Sequence, residues 1–271
     1  MSQTLNTDGL RFASLGSGSE GNATVIEAHA NHRTTRILLD CGFSSKELDK
    51  RLAVIGLLAT DLDAILITHE HHDHAAGAYR TAKRWRLPLY ATHGTMRGAY
   101  DAISPEWIDY HALNLVWPDA GFMIGELSIH PIPVPHDARE PVQYRFSAAQ
   151  RKLAVLTDVG SISPHMKSAF DGQHALILEC NHDLEMLQQS SYPASLKARI
   201  SGDWGHLSNC QAALFLQQLD RSSLSKLWCA HLSQSNNTPA LARTALAGIM
   251  GWADDQVHVL DQSPLGQWWV V

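Results

Sequence analysis

Asp63-Ala64-Ile65-Leu66-Ile67-Thr68-His69-Glu70-His71-His72-Asp73-His74 is the stretch on which the reading of this chain turns. Its first six residues are a short apolar run rich in strand formers. The run ends abruptly at His69, His71, Asp73 and His74, which place four metal-capable side chains within six positions in the pattern H-x-H-x-D-H. On a tight loop, alternate histidines can face one ion while the Asp-His pair reaches a second. A histidine-rich surface loop would have the same composition. The buried-looking strand before it decides against that reading, because open α/β sheets place ligand sites beyond the carboxyl ends of their strands. Ala75 to Arg84 has helical composition, so Asp73 and His74 are expected where a loop turns into a helix.

Upstream, strands are expected at Leu10 to Leu15, Ala23 to Ala28 and Thr35 to Leu39, followed by a helix at Ser45 to Leu52. Downstream, the pattern predicts strands near Leu127 to Ile132, Leu153 to Thr157, Ala175 to Glu179 and Leu227 to Ala230. Helices are expected over Leu184 to Gln189, Asn209 to Leu219 and Pro239 to Met250. Two β-rich halves, each with helices, imply an α/β (α+β) fold of two sheets packed face to face with helices outside. With no linker, repeat or low-complexity tract, residues 1–271 read as a single domain, with pseudo-halves of about 1–135 and 136–271.

The composition excludes several classes. Hydrophobic residues make up 45% and charged residues 18%, a globular balance rather than that of a disordered chain. A net charge of −6 argues against coating nucleic acid through a broad basic surface, so phosphate binding has to be local. Arg80, Lys83, Arg84 and Arg86 around Trp85 read as a solvated helix face with one partly buried tryptophan, rather than as a grip on a nucleic-acid backbone. The polar start and the lack of a long apolar stretch imply a cytoplasmic chain with no membrane partner. Cys41, Cys180, Cys210 and Cys229 are scattered, and are read as small core residues rather than disulfide or zinc cysteines.

The H-x-H-x-D-H loop, Pro135-His136-Asp137, Thr157-Asp158-Val159-Gly160 and Ala230-His231-Leu232-Ser233 come in an order that resembles the metallo-β-lactamase superfamily across nearly the whole chain. That resemblance implies a four-layer αββα sandwich and two divalent ions, zinc, manganese or iron. His69, His71 and His136 would hold one ion, Asp73, His74 and His231 the other, with Asp158 between them. Asp40, in Leu38-Leu39-Asp40-Cys41-Gly42, matches a position that braces the metal loop through hydrogen bonds. A finer likeness, carried by Gly16 to Asn22, Glu179-Cys180-Asn181-His182-Asp183, Gly205-His206-Leu207-Ser208-Asn209 and His231 to Asn237, is to the YycJ/WalJ-type group of bacterial nucleases. It implies a phosphodiesterase or nuclease, DNA exonuclease-like, with no obligate protein partner. Its substrate contacts would include Ser17, Ser19, Asn22, Asn181, Ser208 and Asn236. The glycine-serine loop holding the first three is either a phosphate cradle or a plain hairpin turn.

The chemistry follows from charge. Two divalent cations, offset by two aspartates and a hydroxide, leave about one positive charge for a phosphodiester. Coordination brings the pKa of water from 15.7 to about 7, which supplies hydroxide for in-line attack on phosphorus. Asp73 would both ligate and orient that hydroxide. His206 and His182 are the candidate proton donors to the departing oxygen. The same site could open a thioester or lactone, and the fold can also survive as a non-catalytic metal-binding scaffold. The residues alone leave DNA, RNA and small phosphodiesters open.

Overall fold

Three strands open the chain as an antiparallel meander: β1 (Gly9–Gly16), β2 (Ala23–Ala30) and β3 (Arg33–Leu39). Every residue of β1 is buried, as expected of a strand covered on both faces. Helix α1 (Ser45–Val54) follows, with the Ser44 hydroxyl accepting from Glu47 N, an N-cap. It feeds β4 (Ala64–Leu66), which lies parallel to β3. Next come α2 (His72–Ala75) and α3 (Ala78–Trp85), then β5 (Leu89–Thr92), α4 (His93–Ala102) and β6 (Leu113–Val116). β7 (Phe122–Ile124), β8 (Leu127–Pro133) and β9 (Val142–Ala148) form a second antiparallel meander.

The second part is parallel throughout. β10 (Arg151–Leu156), β11 (Ala175–Glu179), β12 (Lys226–Ala230) and β13 (Val257–Val259) pair in that order. Parallel neighbours require crossovers, and helices supply them: α5 (Pro164–Phe170), then α6 (Leu184–Gln189), α7 (Ala194–Ile200) and α8 (Asn209–Gln218), then α9 (Pro239–Met250). A last strand, β14 (Trp269–Val270), returns antiparallel to β1.

This computed structural model describes residues 8–107 and 111–271, in two compact units. The first comprises Met1–Pro133, Ala138–Lys152 and Gln262–Val271; the second, Val134–Asp137 and Leu153–Asp261. The strands fall into two seven-stranded sheets, the first running β14-β1-β2-β3-β4-β5-β6 wholly within the first unit. There β9 packs over β1 and β2, while α1 and α3 lie against strands of the first sheet. Leu15, Val25, Leu38, Ile65 and Leu89 from the strands meet Leu48, Leu52, Ala78 and Ala82 from the helices in one buried cluster. In the second unit, α8 packs on β11, whose five residues are all buried.

The differences from the expected elements have local causes. The strand expected over Asp63 to Thr68 is regular only over Ala64–Leu66, and the Thr68 N–H goes to Asp40 Oδ1 at 2.9 Å instead of to a ladder partner. As expected, Asp73 and His74 lie where a loop turns into a helix, in the one-turn helix α2, where Ala75 N donates to His71 O. Cys41, Cys180 and Cys229 are buried, but Cys210 is exposed on α8, so the reading of all four as core residues is corrected there. Trp85 is half-buried against the core, with the Arg84 guanidinium 4.5 Å over its ring. Among the described residues no helix is long and apolar enough to cross a membrane.

Gly42 shows how tightly the histidine segment is seated. A Cβ there would lie 1.9 Å from Asp73 O and 3.0 Å from Asn22 N, both backbone atoms that cannot swing aside. Gly42→Ala is therefore expected to cost about 1–3 kcal/mol. This corresponds to a fall in Tm of several degrees, readable by thermal denaturation followed by circular dichroism.

Candidate metal centre

In the first unit the metal loop is built around a buried carboxylate. Asp40 follows β3 with a left-handed φ of 61°, which swings its side chain under the loop. Its Oδ1 accepts from Thr68 N at 2.9 Å, both oxygens accept from Thr68 Oγ1 at 3.0 Å, and Oδ2 lies 2.8 Å from His74 Nδ1. Burial pushes the Asp40 carboxyl above its ordinary range, against the opposing pull of His74. Since Thr68 Oγ1 spends its proton on Asp40, it accepts from His69 Nδ1 at 3.0 Å. The network thus assigns both His69 and His74 the tautomer with a lone pair on Nε2.

His69 and His74 are fully buried, and the His69 ring lies 4.6 Å from that of His71 and 4.3 Å from that of His74, centre to centre. Asp73 Oδ2 and His74 Nε2 are 3.3 Å apart. Two ligands at 2.1 Å from one tetrahedral ion stand about 3.4 Å apart, so this spacing suits a shared cation.

Asn22 ties the glycine loop to these residues. Its amide nitrogen lies 3.2 Å from Asp73 Oδ2 and 3.0 Å from His74 Nε2, and its backbone N–H donates to Asp73 O at 2.7 Å. The neighbouring amides are also engaged: Gly18 N donates to Asn22 Oδ1, Glu20 N to Gln262 Oε1 and Gly21 N to Gly18 O. The loop joins the antiparallel strands β1 and β2 as a hairpin connection, and these three amides are turned inward rather than toward a phosphate. Ser17 is buried within it and Ser19 is exposed.

In the second unit the strand ends converge. Asp158 follows β10 and His231 follows β12, with left-handed φ values of 54° and 56°. Glu179 closes β11 and is fully buried. His136 donates from Nδ1 to Gly205 O at 3.0 Å, and its Nε2 lies 4.0 Å from Asp158 Oδ1. His231 Nδ1 lies 3.2 Å from Glu179 Oε1 and 3.4 Å from Asp158 Oδ1. Here too the hydrogen bonds assign the lone pair to Nε2. One ligand atom each from Asp158, Glu179, His206 and His231 lie within 4.8 Å of one another.

Glu179, quoted above only as part of a motif, is a central residue of this cluster to which the motif assigned no role. Its Oε2 accepts from Val159 N at 2.9 Å and Leu207 N at 3.0 Å, while Oε1 faces His206 Nδ1 at 2.9 Å as well as His231. The carboxylate is an acceptor hub for four donors. Burial alone would raise its pKa, but the charge and hydrogen bond of His206, then the bond to His231, hold it below the carboxylate range. For His206, burial is the largest single influence and works against the imidazolium, but the Glu179 charge and hydrogen bond together with the Asp158 charge outweigh it and raise the pKa. The signal was available: Ala175-Leu176-Ile177-Leu178 is an apolar run that closes on a carboxylate, and a carboxylate is buried only when paired.

His182 differs from His206. It is fully buried, neither ring nitrogen has a hydrogen-bond partner, and burial pushes its pKa down to about 4. Three proposed substrate contacts of this unit also have internal bonds. Asn181 Nδ2 donates to His231 O at 3.1 Å and Ser208 caps α8 through Gln211. Asn236 Nδ2 lies 3.4 Å from Ser233 Oγ.

In both units the donors fit divalent ions by their chemistry, as imidazole nitrogens with lone pairs assigned to Nε2 beside carboxylate oxygens. The β-lactamase superfamily domain matches residues 35–227. The exodeoxyribonuclease YycJ of Bacillus anthracis is 35% identical over 242 residues, 89% of each chain. The exodeoxyribonuclease WalJ of Streptococcus pneumoniae is 33% identical over 260 residues, 94% of this chain and 95% of that one. Among solved structures, the metallo-β-lactamase fold protein YhfI of Bacillus subtilis superposes with a TM-score of 0.72 at 16% identity, covering 98% of this chain and 100% of that one.

Asp40→Asn keeps the side-chain shape and tolerates the left-handed backbone, but removes the charge that holds His74 and Thr68. Metal affinity is expected to fall about 10- to 100-fold, as measured by competition with a chromogenic chelator, while cooperative unfolding persists.

Proposed function

The chain belongs to the β-lactamase superfamily and, within it, to the family of the YycJ and WalJ exodeoxyribonucleases, and on that premise we propose that it is a metal-dependent exonuclease acting on DNA. The observation that carries the reading is the pair Glu179 and His206, 2.9 Å apart. A departing sugar oxygen is far more basic than a thiolate, whose thiol has a pKa of about 8.5. Phosphodiester cleavage therefore gains from a positioned acid that thioester cleavage does not require.

The proposed ligands are His69, His71, Asp73 and His74 from the first unit and His136, Asp158 and His231 from the second, serving two ions, zinc, manganese or iron. Bound there, such ions would bring the pKa of water from 15.7 to about 7 and offset the charge of a phosphodiester. The half-buried Asp73 accepts a hydrogen bond from the attacking water and orients it toward phosphorus. His206, kept protonated by Glu179, donates its Nε2 proton to the leaving oxygen. His182, with its depressed pKa, is neutral at pH 7 and is the weaker acid candidate. Asp40, Asn22 and Asn181 hold the loops that carry these groups. A DNA substrate and buried thiols at Cys41, Cys180 and Cys229 suit the reducing cytoplasm.

A hydrolysis panel tests the reading with metal-loaded protein. End-labelled single- and double-stranded DNA, RNA, a chromogenic phosphodiester and a glutathione thioester are compared, and cleavage of the thioester alone would overturn it. Asp73→Ala should abolish turnover while the protein still unfolds cooperatively. Glu179→Gln should lower kcat on DNA by about 10²- to 10⁴-fold. Because the lost charge lowers the His206 pKa, the alkaline limb of its kcat–pH profile should move to lower pH, a shift that a merely structural role would not produce.

A further inference from the structure

We propose that Trp204 is a stacking platform for a nucleobase of the substrate, set by the loop that also carries His206. The proposal rests on the DNA-exonuclease reading and adds a binding element to it. Tryptophan is on average among the most buried side chains, yet Trp204 is 63% exposed, although its main chain is pinned. Its carbonyl accepts from Asp137 N at 2.9 Å, Gly205 N donates to Gly202 O at 2.8 Å, and His206 N donates to Ile200 O at 2.8 Å. Close packing leaves this loop little freedom. A Cβ on Gly160 would lie 2.4 Å from Asp203 O, and one on Gly205 would lie 2.2 Å from Arg199 O. An indole on a rigid loop, with its faces in solvent, binds a flat partner without an ordering cost for the backbone.

Its surroundings define the partner. Gly205, the next residue, accepts the His136 Nδ1 bond, and the residue after it is His206. The platform is thus two residues from the proposed proton donor, within reach of a nucleotide flanking the scissile phosphate. Asp137 links the loop to a cation. Its main chain holds Trp204 O and its carboxylate holds Arg199 Nε at 2.7 Å, with the Arg199 side chain 62% exposed. An exposed tryptophan and an exposed guanidinium tied to one residue, Asp137, supply the two groups that single-stranded nucleic acid binds, a ring for a base and a cation for the backbone. Every base offers a π-face, so this contact would act without sequence preference.

The test compares two single-stranded oligonucleotides with wild-type protein, Trp204→Ala and Trp204→Phe. One strand has normal bases, and the other carries abasic tetrahydrofuran residues at both ends. Wild type should prefer the normal strand in kcat/KM by roughly 5- to 150-fold, chiefly through KM. Trp204→Ala should lose that preference, and Trp204→Phe should retain most of it. Thermal denaturation controls for folding, with an unchanged Tm expected for so exposed a side chain. If Trp204→Ala keeps the wild-type preference, the platform is refuted while the exonuclease reading stands. If wild type cleaves neither strand but hydrolyses the thioester, the exonuclease reading fails and the platform fails with it.

Discussion

A neutral imidazole has one N–H and one lone pair, so the protein chooses the ligand nitrogen by engaging the other one. Four buried histidines in this chain are set in this way. Thr68 takes His69 Nδ1, Asp40 takes His74 Nδ1, Gly205 O takes His136 Nδ1 and Glu179 takes His231 Nδ1. Each bond is internal to its own unit, so each half prepares its own donors. Three left-handed non-glycine residues, Asp40, Asp158 and His231, stand within this arrangement. A left-handed residue costs roughly 1–2 kcal/mol outside glycine, and it persists where surrounding bonds over-determine it.

Two of the buried carboxylates, Asp40 and Glu179, play parallel parts with different outcomes. Asp40 gathers the Thr68 hydroxyl and amide and one imidazole, and its work ends in holding the loop. Glu179 gathers two amides and two imidazoles, and its charge and hydrogen bond, with the Asp158 charge, raise the His206 pKa despite burial. The same residue class thus braces a loop in one unit and, on the proposed mechanism, tunes an acid in the other. The difference lies in burial, since the His206 side chain is only partly buried while that of His74 is fully buried. The proposed action of a protein of net charge −6 on a polyanion requires positive charge supplied locally by bound ions instead of being spread over the surface.

Much of this was legible in the residues. Strands and helices were readable wherever period and punctuation agreed, as at Ala175–Glu179, Leu184–Gln189 and Pro239–Met250. β5, β6 and β7 escaped notice because strands of three or four residues show too few alternations to reveal a period. The candidate ligands were legible because metal chemistry admits few side chains, and their motifs follow apolar runs. The roles of Asn22, Asn181 and Ser208 were not, since a polar residue near a site has the same letter whether it meets substrate or braces a loop.

The sequence by itself determined the layered α/β architecture, the H-x-H-x-D-H loop and the set of imidazoles and carboxylates from which a centre is made, because hydrophobic period and ligand chemistry are local properties. Only the tertiary structure decided which nitrogen of each histidine is the donor, that Glu179 lies 2.9 Å from His206, and that Trp204 stands exposed on a pinned loop. Those depend on hydrogen bonds and packing between segments as many as 69 positions apart, as between His136 and Gly205. Proton placement and exposure are set by what lies across such a contact, and no pattern along the chain encodes that.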